Sequence, residues 1–278
     1  MTTPDQPIVV GIDGSEDAVH AANWAVAEAD HRGAALLLVI VNDDPARASH
    51  AESAVHKAAA KCRAMAPHLA VDVEIAQGRP VEELLRHSRK AQLMVLGGRG
   101  HGGFADALLG GVSSAVATHG SCPVVVVRRG VPTTVGPVAV GVDGSESSSA
   151  ALRFAFEEAQ RAGAELLVTE VWHEGDLLAG LLSSDERDRV QRDVEQSLAE
   201  QVSALHEQFP DVRTRQLAQR GHPVAALADV GRDAQLLVVG HRGRGGFDGV
   251  FLGSVAAGVL HHAPCPVAVV GSSDDTAT

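Results

Sequence analysis

Val10-Gly11-Ile12-Asp13-Gly14-Ser15 returns as Val140-Gly141-Val142-Asp143-Gly144-Ser145, an offset of 130 residues. Each stretch ends an apolar run, then places a carboxylate, a glycine and a serine, as a buried strand does when it turns into a helix. Farther along, Gly78-Arg79-Pro80 returns as Gly221-His222-Pro223, an offset of 143. Residues 97–128 align with 240–271 at the same offset, with 16 of 32 positions identical. Two copies of one domain follow, 1–130 and 137–278, joined near 130–136. The change of offset assigns 13 extra residues to copy two, after Val171 and within 172–189.

Each copy alternates short apolar runs with helix-period stretches. In copy one the expected strands are 7–12, 35–41, 70–76, 93–96 and 123–127; the expected helices cover 19–29, 54–65, 80–88 and 112–118. Asp13, Ser15 and Asp17 stand where they can cap the first helix. Pro80 opens the third, with Glu82 and Glu83 near its positive end. Copy two repeats the strands at 138–142, 165–171, 213–218, 236–239 and 266–270. Strands this apolar, separated by helices, make a parallel sheet covered on both faces, the α/β class with a Rossmann-like layout.

The chemistry sits in the glycine loops. Gly97-Gly98-Arg99-Gly100 follows the fourth strand, and Gly110-Gly111-Val112-Ser113 opens the last helix of copy one. Copy two has Gly240-His241-Arg242-Gly243 and Gly253-Ser254-Val255-Ala256. Both obey Gly-x2-Gly-x9-Gly. Glycines after a strand let backbone N–H groups approach an anion, and the next helix adds free N–H groups and its dipole. Such a pair cradles phosphates beyond the C-terminal edge of the sheet. The other reading is a turn followed by a glycine-rich cap, and the shared spacing of two copies favours the anion. Gly98-x-Gly100-x-x-Gly103 matches a dinucleotide fingerprint, but it follows the fourth strand and copy two has His241 at its first glycine. The classical P-loop, with its lysine, is absent.

Asp13 and Asp143 end the first strands, either accepting hydrogen bonds from a ribose or base or capping the following helix. Val41 and Val171 end the second strands, as core or as an apolar edge against a base. Arg99 and Arg242 either neutralise phosphate or face solvent. Cys122 and Cys265 precede apolar strands and read as buried structural thiols. The histidines lack metal-ligand spacing.

Composition narrows the partners. The chain of 278 residues carries 23 Lys plus Arg against 35 Asp plus Glu, a net charge of -12. That surface repels nucleic acid and anionic membranes. Aromatics are 3 %, too few for a stacking channel. No apolar run spans a bilayer, the start has no signal-peptide pattern, and three cysteines make no disulfide scaffold. A cytoplasmic location is the expectation.

With these motifs in place, the sequence closely resembles tandem members of the universal stress protein family. The residues that carry the likeness are Asp143, Gly240, Gly243, Gly253, Ser254 and the Cys265-Pro266-Val267 strand. The resemblance implies two domains of five parallel strands in the order 3-2-1-4-5. It implies that Gly240, Gly243, Gly253 and Ser254 hold ATP phosphates, with Asp143 and Val171 at the adenosine end. Asp13, Val41, Gly97, Gly100 and Gly110 match in copy one, where Gly111 replaces the Ser/Thr and Ser113 keeps a hydroxyl two residues on. Up to two ATP per chain, with Mg²⁺, are implied. The family's terminal strands commonly pair domains, so 124–127 and 267–270 are expected to form an intramolecular pseudo-dimer, with a homodimer beyond it.

No catalytic set appears: there is no base, lysine or Walker acid placed by the repeat. The reading is a nucleotide-responsive regulator of stress survival or growth, not an enzyme, with an unknown regulatory protein partner. The alternatives are a weak ATPase or phosphotransferase, a nicotinamide-dependent oxidoreductase, and a nucleotide-free interaction scaffold.

Overall fold

The computed structural model describes residues 6–100, 109–128, 135–173, 183–244 and 252–271. His101, Gly103, most of the 130–136 joint and 174–182 of the expected insertion lie outside the described residues.

Copy one runs β1 (Ile8–Ile12), α1 (Glu16–Arg32), β2 (Leu36–Asn42), α2 (Ala48–Met65), β3 (Val71–Gln77), α3 (Pro80–Ser88), β4 (Leu93–Gly97), α4 (Gly111–His119) and β5 (Val124–Val127). Copy two runs β6 (Val138–Val142), α5 (Glu146–Ala162), β7 (Leu166–Trp172), α6 (Ser184–His206), β8 (Thr214–Arg220), α7 (Pro223–Val230), β9 (Leu236–Gly240), α8 (Ser254–His262) and β10 (Val267–Val270). Every expected strand is present, with ends within two residues.

Local chemistry sets the helix ends. Ser15 caps α1, its hydroxyl accepting from the Ala18 N–H at 3.2 Å, and Glu16 and Asp17 stand in the first turn. Gly33 closes α1 at φ +60°, a conformation that costs glycine little. Ser145 and Gly163 repeat both devices on α5. Ser183 and Glu186 form a reciprocal capping box on α6.

Within each copy all strands are parallel, in the orders β3-β2-β1-β4-β5 and β8-β7-β6-β9-β10. The copies join where β5 and β10 run antiparallel, pairing Val124 with Val269 and Val126 with Val267. One ten-stranded sheet results, and the chain forms its own pseudo-dimer. Side chains alternate across the sheet. Ile8, Val10, Leu36 and Leu38 pack under α1 and α2, continuous with Val140, Leu166 and Phe156 of copy two. Val9, Met94 and Leu96 face the other layer, with Val116, Leu237 and Val259.

A buried charge cluster crosses between the copies at α1 and α5. Arg32 pairs with Glu28 on its own helix and with Glu158 of α5 at 2.5 Å, and donates to Gln92 Oε1 at 3.1 Å. Glu158 also accepts from Arg161 at 2.5 Å.

Candidate functional site

The C-terminal ends of β1, β2 and β4 line a cleft of about 1080 Å³ in copy one. Asp13, Val41, Gly97, Gly100, Gly110, Gly111 and Ser113, seven positions spread over a hundred residues of sequence, all lie in its wall. The parallel strand order puts them there, because every strand ends at the same edge.

Hydrogen bonds fasten the glycine loop. Gly98 N–H donates to the Val127 carbonyl at 2.8 Å, tying the loop to β5. Gly110 N–H donates to the Gly98 carbonyl at 2.8 Å, closing the loop on itself. Gly110 is the N-cap residue of α4 and offers no capping side chain, leaving the first-turn N–H groups toward the cleft. Ser113 Oγ, 7 % exposed at the residue level, donates to the Gly97 carbonyl at 2.7 Å. Its hydroxyl hydrogen anchors α4 to the end of β4. The Gly111 position is open, with nothing within 4 Å of where a Cβ would stand.

The Asp13 carboxylate does not cap α1, since Ser15 does. Asp13 Oδ1 accepts instead from the Ser15 N–H at 2.9 Å. Ser15 Oγ donates to the Arg99 carbonyl at 3.1 Å, so the β1–α1 turn is buttoned onto the glycine loop. Copy two repeats this with Ser145 N–H on Asp143 Oδ1 at 3.0 Å and Ser145 Oγ on the Arg242 carbonyl at 3.4 Å. The Arg244 N–H adds a bond to Asp143 Oδ2 at 2.9 Å. Burial alone would raise the Asp143 carboxyl, but these hydrogen bonds from Ser145 and Arg244 hold it below its usual range. Gly240 ends β9, Gly243 follows it, Gly253 is the N-cap residue of the last helix and Ser254 opens it, as their counterparts do in copy one. Val171 sits near the end of β7, paired with Gln219.

Arg99 lies in the cleft wall, half-buried, and its Nε has no hydrogen-bond partner. Arg128, at the end of β5, packs its side chain against Gly98 and donates to the His261 carbonyl of α8. Burial and the neighbouring Arg99 charge both lower its pKa. Two guanidiniums therefore crowd the glycine loop of copy one. Sequence reading singled out Arg99 but not Arg128, whose signal, a lone basic residue ending an all-valine strand, was visible.

The copies diverge on their second strands. Val39 and Ile40 line the copy-one cleft; the same register positions in copy two are Thr169 and Glu170, as Ile12 pairs with Ile40 and Val142 with Glu170. Glu170 Oε2 and Thr169 Oγ1 are buried without hydrogen-bond partners. Burial raises the Glu170 pKa, the Arg244 charge works against that, and Asp143 adds to it. Aligning the repeats at offset 130 sets this carboxylate opposite an isoleucine, a signal that sequence reading passed over.

Among the described residues, no three His, Cys, Asp or Glu side chains group to hold a metal ion, and no helix is long and apolar enough to cross a membrane. The model of the universal stress protein family matches residues 6–128 and 134–271. Universal stress protein Rv2005c of Mycobacterium tuberculosis is 35 % identical over 290 residues, covering 96 % of this chain and 97 % of that one. A universal stress protein of Mycolicibacterium smegmatis is 34 % identical over 285 residues, covering 95 % and 96 %. The crystal structure of a universal stress protein from Archaeoglobus fulgidus superposes with a TM-score of 0.68 at 23 % identity, over 95 % of this chain and 98 % of that one. That likeness carries the fold alone.

Proposed function

The chain belongs to the universal stress protein family, a ligand-binding regulatory module rather than an enzyme class, and on that premise we propose that it is an ATP-binding regulator of stress survival or growth. One observation carries the reading: a single cleft gathers Asp13, Val41, Gly97, Gly100, Gly110, Gly111 and Ser113. The triphosphate lies along the glycine loop and the α4 N-terminus, where backbone N–H groups and Arg99 meet its charge. The base lies at the far end, against the β2 wall at Val41, and Asp13 faces the ribose or base. Mg²⁺ would come bound to the phosphates and would offset their charge there.

Copy two uses Asp143, Val171, Gly240, Gly243, Gly253 and Ser254 in the corresponding roles, so the domains 1–130 and 137–278 each bind a nucleotide. The protein acts in the cytoplasm. Nucleotide occupancy alters the surface that an unidentified regulatory protein reads. A homodimer uses a face other than β5 and β10, which are both paired within the chain.

The test has two arms. Nucleotide released on denaturing freshly purified protein is identified and counted, and stripped protein is titrated calorimetrically with ATP. Adenine nucleotide in the extract and ATP heat at micromolar to millimolar ligand are expected. Absence of both refutes the reading.

A further inference from the structure

We propose that the C-terminal sheet edge of copy two takes a guanine nucleotide, read by the Glu170 carboxylate, while copy one takes an adenine nucleotide. The proposal rests on the reading of both glycine loops as phosphate cradles. With phosphates at the loop between β4 and α4, the remaining length of the copy-one cleft runs to the end of β2, where Val39, Ile40 and Val41 form its wall. A base set there meets aliphatic surface. In copy two the parallel register puts Glu170 in the place of Ile40 and Thr169 in the place of Val39.

The Glu170 side chain is 5 % exposed, and its Oε2 lacks a hydrogen-bond partner. A buried acceptor left unpaired is costly, the more so when charged. The site is therefore complete only with a ligand that donates. Glu170 pairs in register with Val142, the residue before Asp143, whose Oδ2 accepts from the Arg244 N–H, so it stands at the same sheet edge as the glycine loop.

The chemistry of the bases then decides. An ionised carboxylate only accepts, through two adjacent oxygens. Guanine presents two adjacent donors on its pairing edge, the ring N1–H and the exocyclic amine. Adenine and cytosine each set a ring acceptor beside their amine, and that acceptor would face the second carboxylate oxygen. Uracil has a lone N–H between two carbonyls. Only guanine matches both oxygens. Its donors also supply what burial withholds from the charged carboxylate.

The experiment uses the full chain carrying Gly100→Glu, which disables copy one and leaves copy two intact. Its binding of GTP and of ATP is measured by calorimetry at pH 7.5, with circular dichroism to verify the fold. GTP is expected to bind at least about tenfold more tightly than ATP, about 1.4 kcal/mol. Adding Glu170→Ile, the copy-one residue, is expected to erase that preference. Adding Glu170→Gln, which swaps one acceptor for a donor, is expected to weaken GTP while leaving ATP unchanged or tighter. Equal affinities, an ATP preference, a GTP preference that survives Glu170→Ile, or no nucleotide binding at all by the Gly100→Glu chain would each overturn the proposal. Binding of ATP by the wild-type chain is unaffected by any of those failures, so the reading of copy one stands or falls separately.

Discussion

Gly100 sets its bare α-carbon against the carboxylate of Asp13: a Cβ there would stand 2.6 Å from Oδ2. Gly243 repeats the relation with Asp143 at 2.5 Å. A side chain at either position meets the carboxylate at the end of the first strand before it meets any ligand. The two glycines thus let the phosphate loop close over the β1 and β6 ends.

Gly100→Glu forces a second carboxylate onto Asp13 and pushes the loop away from its seat. ATP affinity at copy one is expected to fall at least about tenfold, or about 1.4 kcal/mol. Gly243→Glu is expected to do the same to nucleotide binding at copy two. Calorimetry on each single variant reads one site lost and one retained. Unchanged affinity in a folded double variant would remove the loops from the binding site. Unfolding of both single variants would mean that these glycines only shape the backbone.

Much of this was legible because the chain says it twice. The repeat of Val10–Ser15 at Val140–Ser145 located β1 and β6, and the Gly-x2-Gly-x9-Gly spacing located the loops that the parallel sheet brings beside them. What Asp13 does was open, because a carboxylate before a helix can cap it or turn away. The structure decides for Ser15 as the cap, since Asp13 is spent on the Ser15 N–H. Arg128 was visible as a basic residue after an all-valine run, but its contact with His261 and the Arg32–Glu158 pair were not legible, because they depend on β5 meeting β10 and α1 meeting α5, contacts with no local sequence signal. Glu170 was legible only by comparing the copies position by position.

Gly111 and Gly97 should separate open space from crowding. Nothing lies within 4 Å of a Cβ at Gly111, the first residue of α4. Gly111→Ser adds a hydroxyl donor beside the phosphate cradle at no steric cost. One net hydrogen bond of about 0.5–1.5 kcal/mol predicts a gain of roughly two- to twelvefold in ATP affinity at copy one. At Gly97 a Cβ would stand 2.7 Å from the Asp17 carbonyl carbon and 2.8 Å from the Ala18 nitrogen. Both are backbone atoms of α1 and cannot rotate aside. Gly97→Ala is expected to lose about 1–3 kcal/mol of stability in urea unfolding, an overpacking cost. A Gly97→Ala chain as stable as the wild type would contradict this packing of α1 on β4.

Cys265 is 4 % exposed, and burial pushes its thiol up to about 12; Cys122, ahead of β5, is pushed to about 12 by the same cause. At pH 8 the thiolate fraction is then roughly one in ten thousand, against about a quarter for an ordinary cysteine of pKa 8.5. Native protein is expected to resist a thiol-specific reagent at pH 8 for hours at these two positions, and to label fully once unfolded. Rapid native labelling of Cys265 by mass spectrometry would show that β10 opens from β9.

Glu158 makes the junction between the copies sensitive to pH. Burial raises its carboxyl well above the usual range, and the neighbouring Glu28 raises it further, against the charges of Arg32 and Arg161. Burial acts on Glu28 as well, but Arg32 and the hydrogen bond from Glu158 leave it lowered. The two carboxyls are therefore pushed in opposite directions, Glu158 toward its protonated form and Glu28 toward its ionised form, with Arg32 between them and Gln92, Arg161 and Glu157 around the cluster. A carboxyl whose folded pKa is raised binds its proton more tightly in the folded chain. Its contribution to stability is full below the ordinary glutamate value and is lost as pH rises through the raised one. Glu28 has the opposite sign: its contribution is present above the ordinary value and is lost as pH falls through the lowered one. Glu158→Gln copies the protonated carboxyl, so it is expected to match the wild type in urea unfolding at pH 5 and to exceed it at pH 8. Glu158→Ala instead leaves Arg32 with one acceptor fewer and opens a gap between α1 and α5, at a cost of about 3 kcal/mol at both pH values. A Gln variant as unstable as the Ala variant at pH 8 would mean that the junction needs an ionised Glu158 there, held by paired charges rather than by a protonated carboxyl.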